Sequence, residues 1–86
     1  MKSTPRFKRI CPGLYRTEDE QFELMQLIDV NPPAWNIEVS TDWIEQWVDA
    51  DPEHRTPYSY PDSMPVDGAS SKRDALALFD EWFQSQ

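Results

Sequence analysis

The sequence predicts one α+β domain over residues 1–86, in which a small antiparallel sheet of about three strands precedes two helices. Short aromatic-rich segments separated by turn residues fill the first half of the chain, which is typical of antiparallel strands. Two later segments repeat apolar residues at helical spacing. A chain of 86 residues buries roughly 60–65% of its extended surface, so its eleven aromatic residues must supply much of the core.

The sheet is predicted near residues 6–39. A Pro12–Gly13 turn signal precedes a strand near residues 13–17, with a looser lead-in before it. The segment WNIEV at 35–39 alternates apolar and polar residues, which indicates a half-buried strand.

Residues 17–29 leave two alternatives open. Thr17 and Glu20 have the spacing of a capping box, which would begin a helix through EDEQFELMQLID. As a turn, the same TEDE segment would join two strands of a hairpin. Glu, Leu, Met and Gln favour the helix, whereas the aromatic-rich arrangement GLYRT…QFEL…WNIEV favours the hairpin, which we adopt.

A short acidic helix is predicted at residues 41–50, capped by Ser40 or Thr41. At roughly 100° per residue, its two tryptophans share a broad face with Ile44 and Val48. Its acidic residues form a narrow ridge on another side. We expect the rings to face the core and the carboxylates to face outward from this ridge, which comprises Asp42, Glu45 and Asp49.

A proline-rich loop is predicted at residues 51–69, where four prolines and one glycine interrupt any periodic pattern. A loop of about twenty residues is commonly functional or disordered, and the sequence leaves its order open. Tyr58 and Tyr60 either fold back on the core or offer contact area to a partner.

The C-terminal helix is predicted at residues 71–84. Ser71 and Asp74 resemble a capping box, with Asp in place of Glu or Gln. Apolar residues fill one side of the helical wheel and charged or polar residues the other. This amphipathic pattern predicts a helix packed on the sheet.

Charge is distributed unevenly along the chain, whose net charge is −8. The first sixteen residues carry five basic and no acidic side chains, and residues 1–6 are predicted to form a basic arm. Residues 17–86 carry three basic and sixteen acidic side chains, a net −13. Such a body repels nucleic acid and membrane surfaces and attracts basic partners. The same charge also serves plain solubility.

The composition indicates a soluble protein of the cytoplasm. Cys11 is the sole cysteine and cannot form an internal disulfide. The N-terminal segment MKSTPRFKRICPG has no apolar core of a signal peptide. No apolar run approaches the roughly 20 residues of a membrane span.

We expect no enzymatic activity, cofactor, metal site or direct binding to nucleic acid. Nothing in the sequence marks Cys11 and His54 as a catalytic pair. The acidic cluster at residues 49–54 has neither the glycine nor the spacing of a calcium loop. Two glycines in the whole chain exclude a glycine-rich phosphate loop.

Binding to a protein partner is the function that the acidic helix favours. Carboxylates three and four residues apart lie roughly 5–6 Å apart at Cβ, whereas a DNA strand carries one charge per roughly 3.4 Å of rise. A rigid acidic row can therefore approximate a phosphate track, although it can equally be a solvated helix face. The predicted partner-binding residues are Glu38, Asp42, Glu45, Asp49, Asp51, Glu53, Tyr58 and Tyr60.

The arrangement G-x-Y-x-T…F-x-L…W-x-I, followed by a helix introduced by S-K-R-D-A-L, resembles short acidic accessory proteins of bacteriophages, notably phages of actinobacteria. The resemblance covers both ends of the domain and specifies no active site. The helix at 41–50 and the proline-rich loop are additional to it. The matching residues are Gly13, Tyr15, Thr17, Phe22, Leu24, Trp35, Ile37 and 71–76.

This resemblance implies a product that binds and modulates a host protein. Inhibitors of CRISPR or restriction enzymes are one such class, and acidic nucleic-acid mimics recur among them. We therefore expect an acidic modulator of a basic, nucleic-acid-binding defence protein in the host cytoplasm. The alternative is a structural or assembly subunit that binds through an aromatic face, as a homodimer or a component of a complex.

Overall fold

The computed structural model describes residues 3–86 and confirms the α+β class. All five strands form one antiparallel sheet, with neighbours in the order in which they occur along the chain. A short 3-10 helix lies at Pro57–Ser59. The strands and α-helices are β1 (Phe7–Cys11), β2 (Leu14–Thr17), β3 (Phe22–Leu27), β4 (Ala34–Val39), α1 (Thr41–Ala50), β5 (Val66–Ala69) and α2 (Lys72–Gln84).

Residues 17–29 form the hairpin and not the helix. The capping-box residue Thr17 is buried, and its hydroxyl accepts a hydrogen bond from the backbone N–H of Phe22 at 3.1 Å across the turn. This arrangement places Phe22 and Leu24 on the core face, where they pair with strand β4. Burial of these two apolar side chains in the sheet outweighs the local helix propensity.

The sheet has five strands, and not the expected three or so. The lead-in to the first predicted strand is itself strand β1, paired with β2. Strand β5 lies within the predicted loop of residues 51–69, where the 3-10 helix also lies. Trp35 pairs with Ala69 and Ile37 with Val66, so β5 contains one extra residue. This bulge, with Gly68 at φ +79°, breaks the alternation by which a strand is recognised.

Helix α2 packs on one face of the sheet and closes the core. Ser71 caps it by accepting a hydrogen bond from the N–H of Asp74 at 3.0 Å, so the helix begins one residue later than expected. Phe79 lies at the centre, with its ring edge-on to Phe7 and to Phe22 at centroid distances of 5.3 and 4.9 Å. The core comprises Phe22, Leu24, Ile37, Val39, Val66, Ala69, Ala75 and Phe79.

The other face of strands β1–β4, which we call the open face, remains partly exposed apart from Asn36. The smallest dimension of the molecule is 21 Å, which fits one sheet and one helical layer of about 10 Å each.

Within residues 3–86 no helix is long and apolar enough to cross a membrane. Of the predicted basic arm at 1–6, residues 1 and 2 lie outside the described chain.

Candidate protein-binding surface

Helix α1 is fixed to the sheet through its N-cap residue, Ser40. The buried hydroxyl of Ser40 accepts a hydrogen bond from the N–H of Trp43 at 3.3 Å and donates one to the carbonyl of Glu20 at 2.7 Å. The N–H of Ser40 donates to the carbonyl of Gln21 at 2.8 Å. The N-cap therefore ties α1 to the turn between β2 and β3, which sets the direction in which the helix leaves the sheet.

The aromatic side of α1 faces the molecule, as expected from its periodicity. Trp43 and Ile44 pack against the core. Trp47 lies edge-on to Tyr60, with ring centroids 5.0 Å apart. No residue of α1 is fully buried, however. The helix therefore lies at the margin of the core and leaves its opposite side to solvent.

That opposite side carries the acidic ridge, which consists of Asp42, Glu45 and Asp49. All three side chains are exposed. Among residues 3–86, none of the three forms an ion pair. The ridge is therefore an ordered row of carboxylates whose shape is set by a helix anchored through its other face.

Arg16 lies near the start of the ridge, because it lines one cleft with Asp42. Its guanidinium bonds Glu23 at 3.0 Å. This hydrogen bond and the charge of Glu23 raise the pKa of Arg16 above its ordinary value, and the charges of Glu20 and Asp42 add to the effect. These four side chains line one cleft of about 230 Å³. This cleft was not predicted from the sequence, although the register of the β2–β3 hairpin pairs Arg16 with Glu23.

Arg55 lies beside α1 and is engaged elsewhere than on the ridge. Its Nη1 donates to the carbonyl of Trp47 at 2.9 Å, and its guanidinium carbon lies 4.6 Å from the centroid of the Trp47 ring. A cation near the last carbonyls of a helix also interacts favourably with the negative end of the helix dipole. Arg55 therefore stabilises the end of α1 without pairing with its carboxylates.

The two predicted acidic residues beyond α1 differ from each other. Asp51 is half-buried and its Oδ1 lies 2.9 Å from Nδ1 of His54. Glu53 is exposed and can extend the ridge into the following turn.

Cys11 is exposed on edge strand β1. Residues 3–86 contain no group of three or more His, Cys, Asp or Glu side chains arranged to hold a metal ion.

The remaining predicted residues lie in different surroundings. Tyr58 on the 3-10 helix is 98% exposed, whereas Tyr60 is half-buried against Trp47. Glu38 lies on strand β4 opposite Glu23, on the open face of the sheet and not on α1. The structure thus brings the ridge residues together on one helix and places Glu38 on another element.

Searches with the chain found no matching family model, no matching curated protein and no matching solved structure. The function is therefore inferred from the residues and their geometry.

Proposed function

We propose that the protein is a binding modulator that inserts the acidic ridge of α1 into a basic surface of a partner protein. The observation that carries this proposal is the exposure of all three ridge carboxylates on one helix whose opposite face is anchored. A surface fixed before binding loses little conformational freedom on association. Glu53 and the exposed ring of Tyr58 extend the surface beyond the helix.

The spacing of the ridge supports mimicry of a nucleic-acid backbone. Its first and last members are seven positions apart, which is about 10 Å of helix axis at 1.5 Å per residue. A single DNA strand rises about 3.4 Å per phosphate, so the three carboxylates cover about the same length as four successive phosphates. A channel lined with Lys and Arg would attract the carboxylates of the ridge and the phosphates of a DNA strand by the same long-range electrostatic force.

The most specific form of the proposal is a phage-encoded inhibitor of a host defence enzyme that handles nucleic acid. The net charge of −13 over residues 17–86, from three basic and sixteen acidic side chains, supports an association steered by charge. The resemblance to acidic phage accessory proteins also supports an inhibitor of a host protein. The site of action would then be the host cytoplasm.

A second candidate rests on the ring of Tyr58, which is 98% exposed. Tyrosines at the centre of an interface are frequent binding hot spots. A structural subunit that binds through this ring would depend on Tyr58 and not on the ridge. Replacing Tyr58 by Ala therefore separates the two candidates, because the ring is too exposed to contribute much to folding.

The test compares four immobilised proteins in a lysate of the host, one of which is the Tyr58→Ala variant. The first is the wild type, and the second is the ridge variant Asp42→Lys, Glu45→Lys, Asp49→Lys. The third is a charge-matched control in which three exposed carboxylates elsewhere, which we call the control set, are changed to Lys. The control set comprises Asp29, Asp67 and Glu81.

We expect a nucleic-acid-binding protein to be retained by the wild type and the control and lost from the ridge variant. Duplex DNA added to the lysate should release it, because DNA and the ridge would compete for one basic channel. Equal loss from the ridge variant and the control would indicate attraction by net charge alone and would contradict the proposal. Retention by the ridge variant but not by Tyr58→Ala would favour the second candidate.

A further inference from the structure

The open face of the sheet carries a row of four charged residues across four neighbouring strands. The pairing register places Lys8 opposite Arg16, Arg16 opposite Glu23, and Glu23 opposite Glu38. From β1 to β4 the signs are therefore plus, plus, minus, minus. The row lies on the side of the sheet that α2 leaves uncovered.

Charges at the two ends of this row are poorly satisfied within the chain. Glu23 bonds Arg16 at 3.0 Å, but Glu38 forms no ion pair with any residue between 3 and 86. Like charges directly opposite each other on neighbouring strands are destabilising. Lys8 lies 3.7 Å from Glu18, but the two side chains are 68% and 86% exposed, so this contact contributes little.

Next to the charged row, the same face is apolar. Leu14 pairs with Met25, and Leu27 pairs with Ala34. All four side chains alternate to the open face, where they remain half-buried. Partly exposed leucine and methionine side chains therefore lie beside the charged row.

The apolar area continues to the end of β1 and into the β3–β4 loop, at the end of the sheet where Leu14 and Leu27 lie. The β1–β2 turn and the β3–β4 loop lie side by side, since the N–H of Gln26 donates to the carbonyl of Gly13 at 2.9 Å. Ile10 is 54% exposed, and Ile28 and Val30 in the loop are 75% and 44% exposed. Exposed apolar side chains grouped beside a sheet face are typical of an interaction surface.

We propose that the open face binds a second copy of this chain, face to face, about a two-fold axis that runs parallel to the strands between β2 and β3. This axis keeps each end of the sheet over the same end of its partner, so the apolar areas meet. It also reverses the order of the strands. Lys8 of one protomer then faces Glu38 of the other, and Arg16 faces Glu23.

The occupant is a second copy because the row is complementary to itself. Rotation about the two-fold axis converts plus, plus, minus, minus into minus, minus, plus, plus, which is the sequence of charges that each protomer needs opposite it. Such an isologous contact is the commonest form of protein dimer. The two sheets would pack about 10 Å apart with their strands at about −30°.

The size of the face predicts a weak, concentration-dependent dimer. Four strands about 4.8 Å apart and about five residues long present a face of roughly 20 Å by 16 Å. That is about 320 Å² on each protomer, or about 640 Å² in total, which is below the roughly 1,000 Å² of a stable specific interface and fits only a weak, transient contact. Of the acidic ridge, only Asp42 shares a cleft with Arg16 and Glu23 of the charged row, so Glu45 and Asp49 can be changed to test the proposed function separately.

Charge reversal gives a sharp test by sedimentation velocity at low salt over a range of protein concentrations. We expect Glu38→Lys and Lys8→Glu each to raise the dissociation constant of the dimer about tenfold, since each creates two like-charge contacts per dimer. An equimolar mixture of the two variants should form a heterodimer, because Glu at position 8 then faces Lys at position 38. The charge-matched control Asp67→Lys should dimerise as the wild type does.

The apolar half of the interface is tested with Met25→Lys, which should leave a monomer. Far-UV circular dichroism and thermal unfolding establish that each variant is folded. A wild type that remains monomeric at millimolar concentration would overturn the proposal. A dimer that neither reversal weakens would also overturn it, since such a dimer would form elsewhere, for example along the free edge of β1. The double variant Glu45→Lys, Asp49→Lys leaves Asp42 beside Arg16 unchanged and should dimerise normally, which separates this result from failure of the proposed function.

Discussion

Ser40 is the residue on which the position of the acidic ridge depends most. Its hydroxyl and its backbone N–H bond the N-terminus of α1 and two carbonyls of the β2–β3 turn. By sequence either Ser40 or Thr41 could cap the helix, and in the structure the cap is Ser40. Its bond to Glu20 was not predictable from local sequence, because the two residues meet only through the pairing of β3 with β4.

Replacing Ser40 by Ala should lower the free energy of unfolding by about 1–2 kcal/mol, because the helix loses its N-cap and the carbonyl of Glu20 loses a donor. Urea unfolding monitored by tryptophan fluorescence measures this change. The exposed Ser63 provides the control. Ser63→Ala should shift the free energy by less than about 0.5 kcal/mol, and an equal effect of both changes would contradict the role assigned to Ser40.

At the scale of elements, the segment after α1 is ordered by contacts with that helix. Tyr60 packs on Trp47, and Arg55 bonds the Trp47 carbonyl. The segment TPYSYP gives its two tyrosines nearly identical local surroundings, so the sequence could not distinguish the packed ring from the exposed one. Strand β5 was missed for a related reason, since its pairing with β4 includes a bulge.

We expect Tyr60→Ala to release this segment from α1. The edge-to-face contact with Trp47 contributes about 0.5–1.5 kcal/mol beyond its buried area, and its loss should increase amide hydrogen exchange across residues 55–62. Tyr58→Ala is the matched control, because Tyr58 is 98% exposed. Similar exchange in the two variants would show that Tyr60 does not hold the segment in place.

At the scale of the whole molecule, a single helical layer covers a single sheet. The alternation of Trp35, Ile37 and Val39 and the apolar side of the C-terminal helix sufficed to predict this α+β arrangement. The sequence also predicted that the tryptophans of α1 face inward. It could not show that α1 lies at the margin of the core, because that position depends on the contacts of Trp47 with Tyr60 and Arg55.

The two-layer core makes the molecule sensitive to loss of one central ring. Phe79→Ala should lower the free energy of unfolding by about 3–5 kcal/mol, a large part of the roughly 5–8 kcal/mol expected for a domain of this size. Denaturant unfolding measures the loss. Leu78→Ala on the same helix is the control, because Leu78 is 48% exposed; a comparable loss there would contradict the assigned packing.

The central claim is that ordered carboxylates on α1, and not net charge alone, bind the partner. Its most direct test is titration calorimetry of the captured partner over a range of salt concentrations. The ridge is neutralised by Asp42→Asn, Glu45→Gln and Asp49→Asn, and the control set is neutralised in the same way. We expect the neutralised ridge to bind more weakly and with a shallower salt dependence than the wild type, and the neutralised control set to match the wild type. Identical affinities and salt dependences for the two neutralised proteins would contradict the claim.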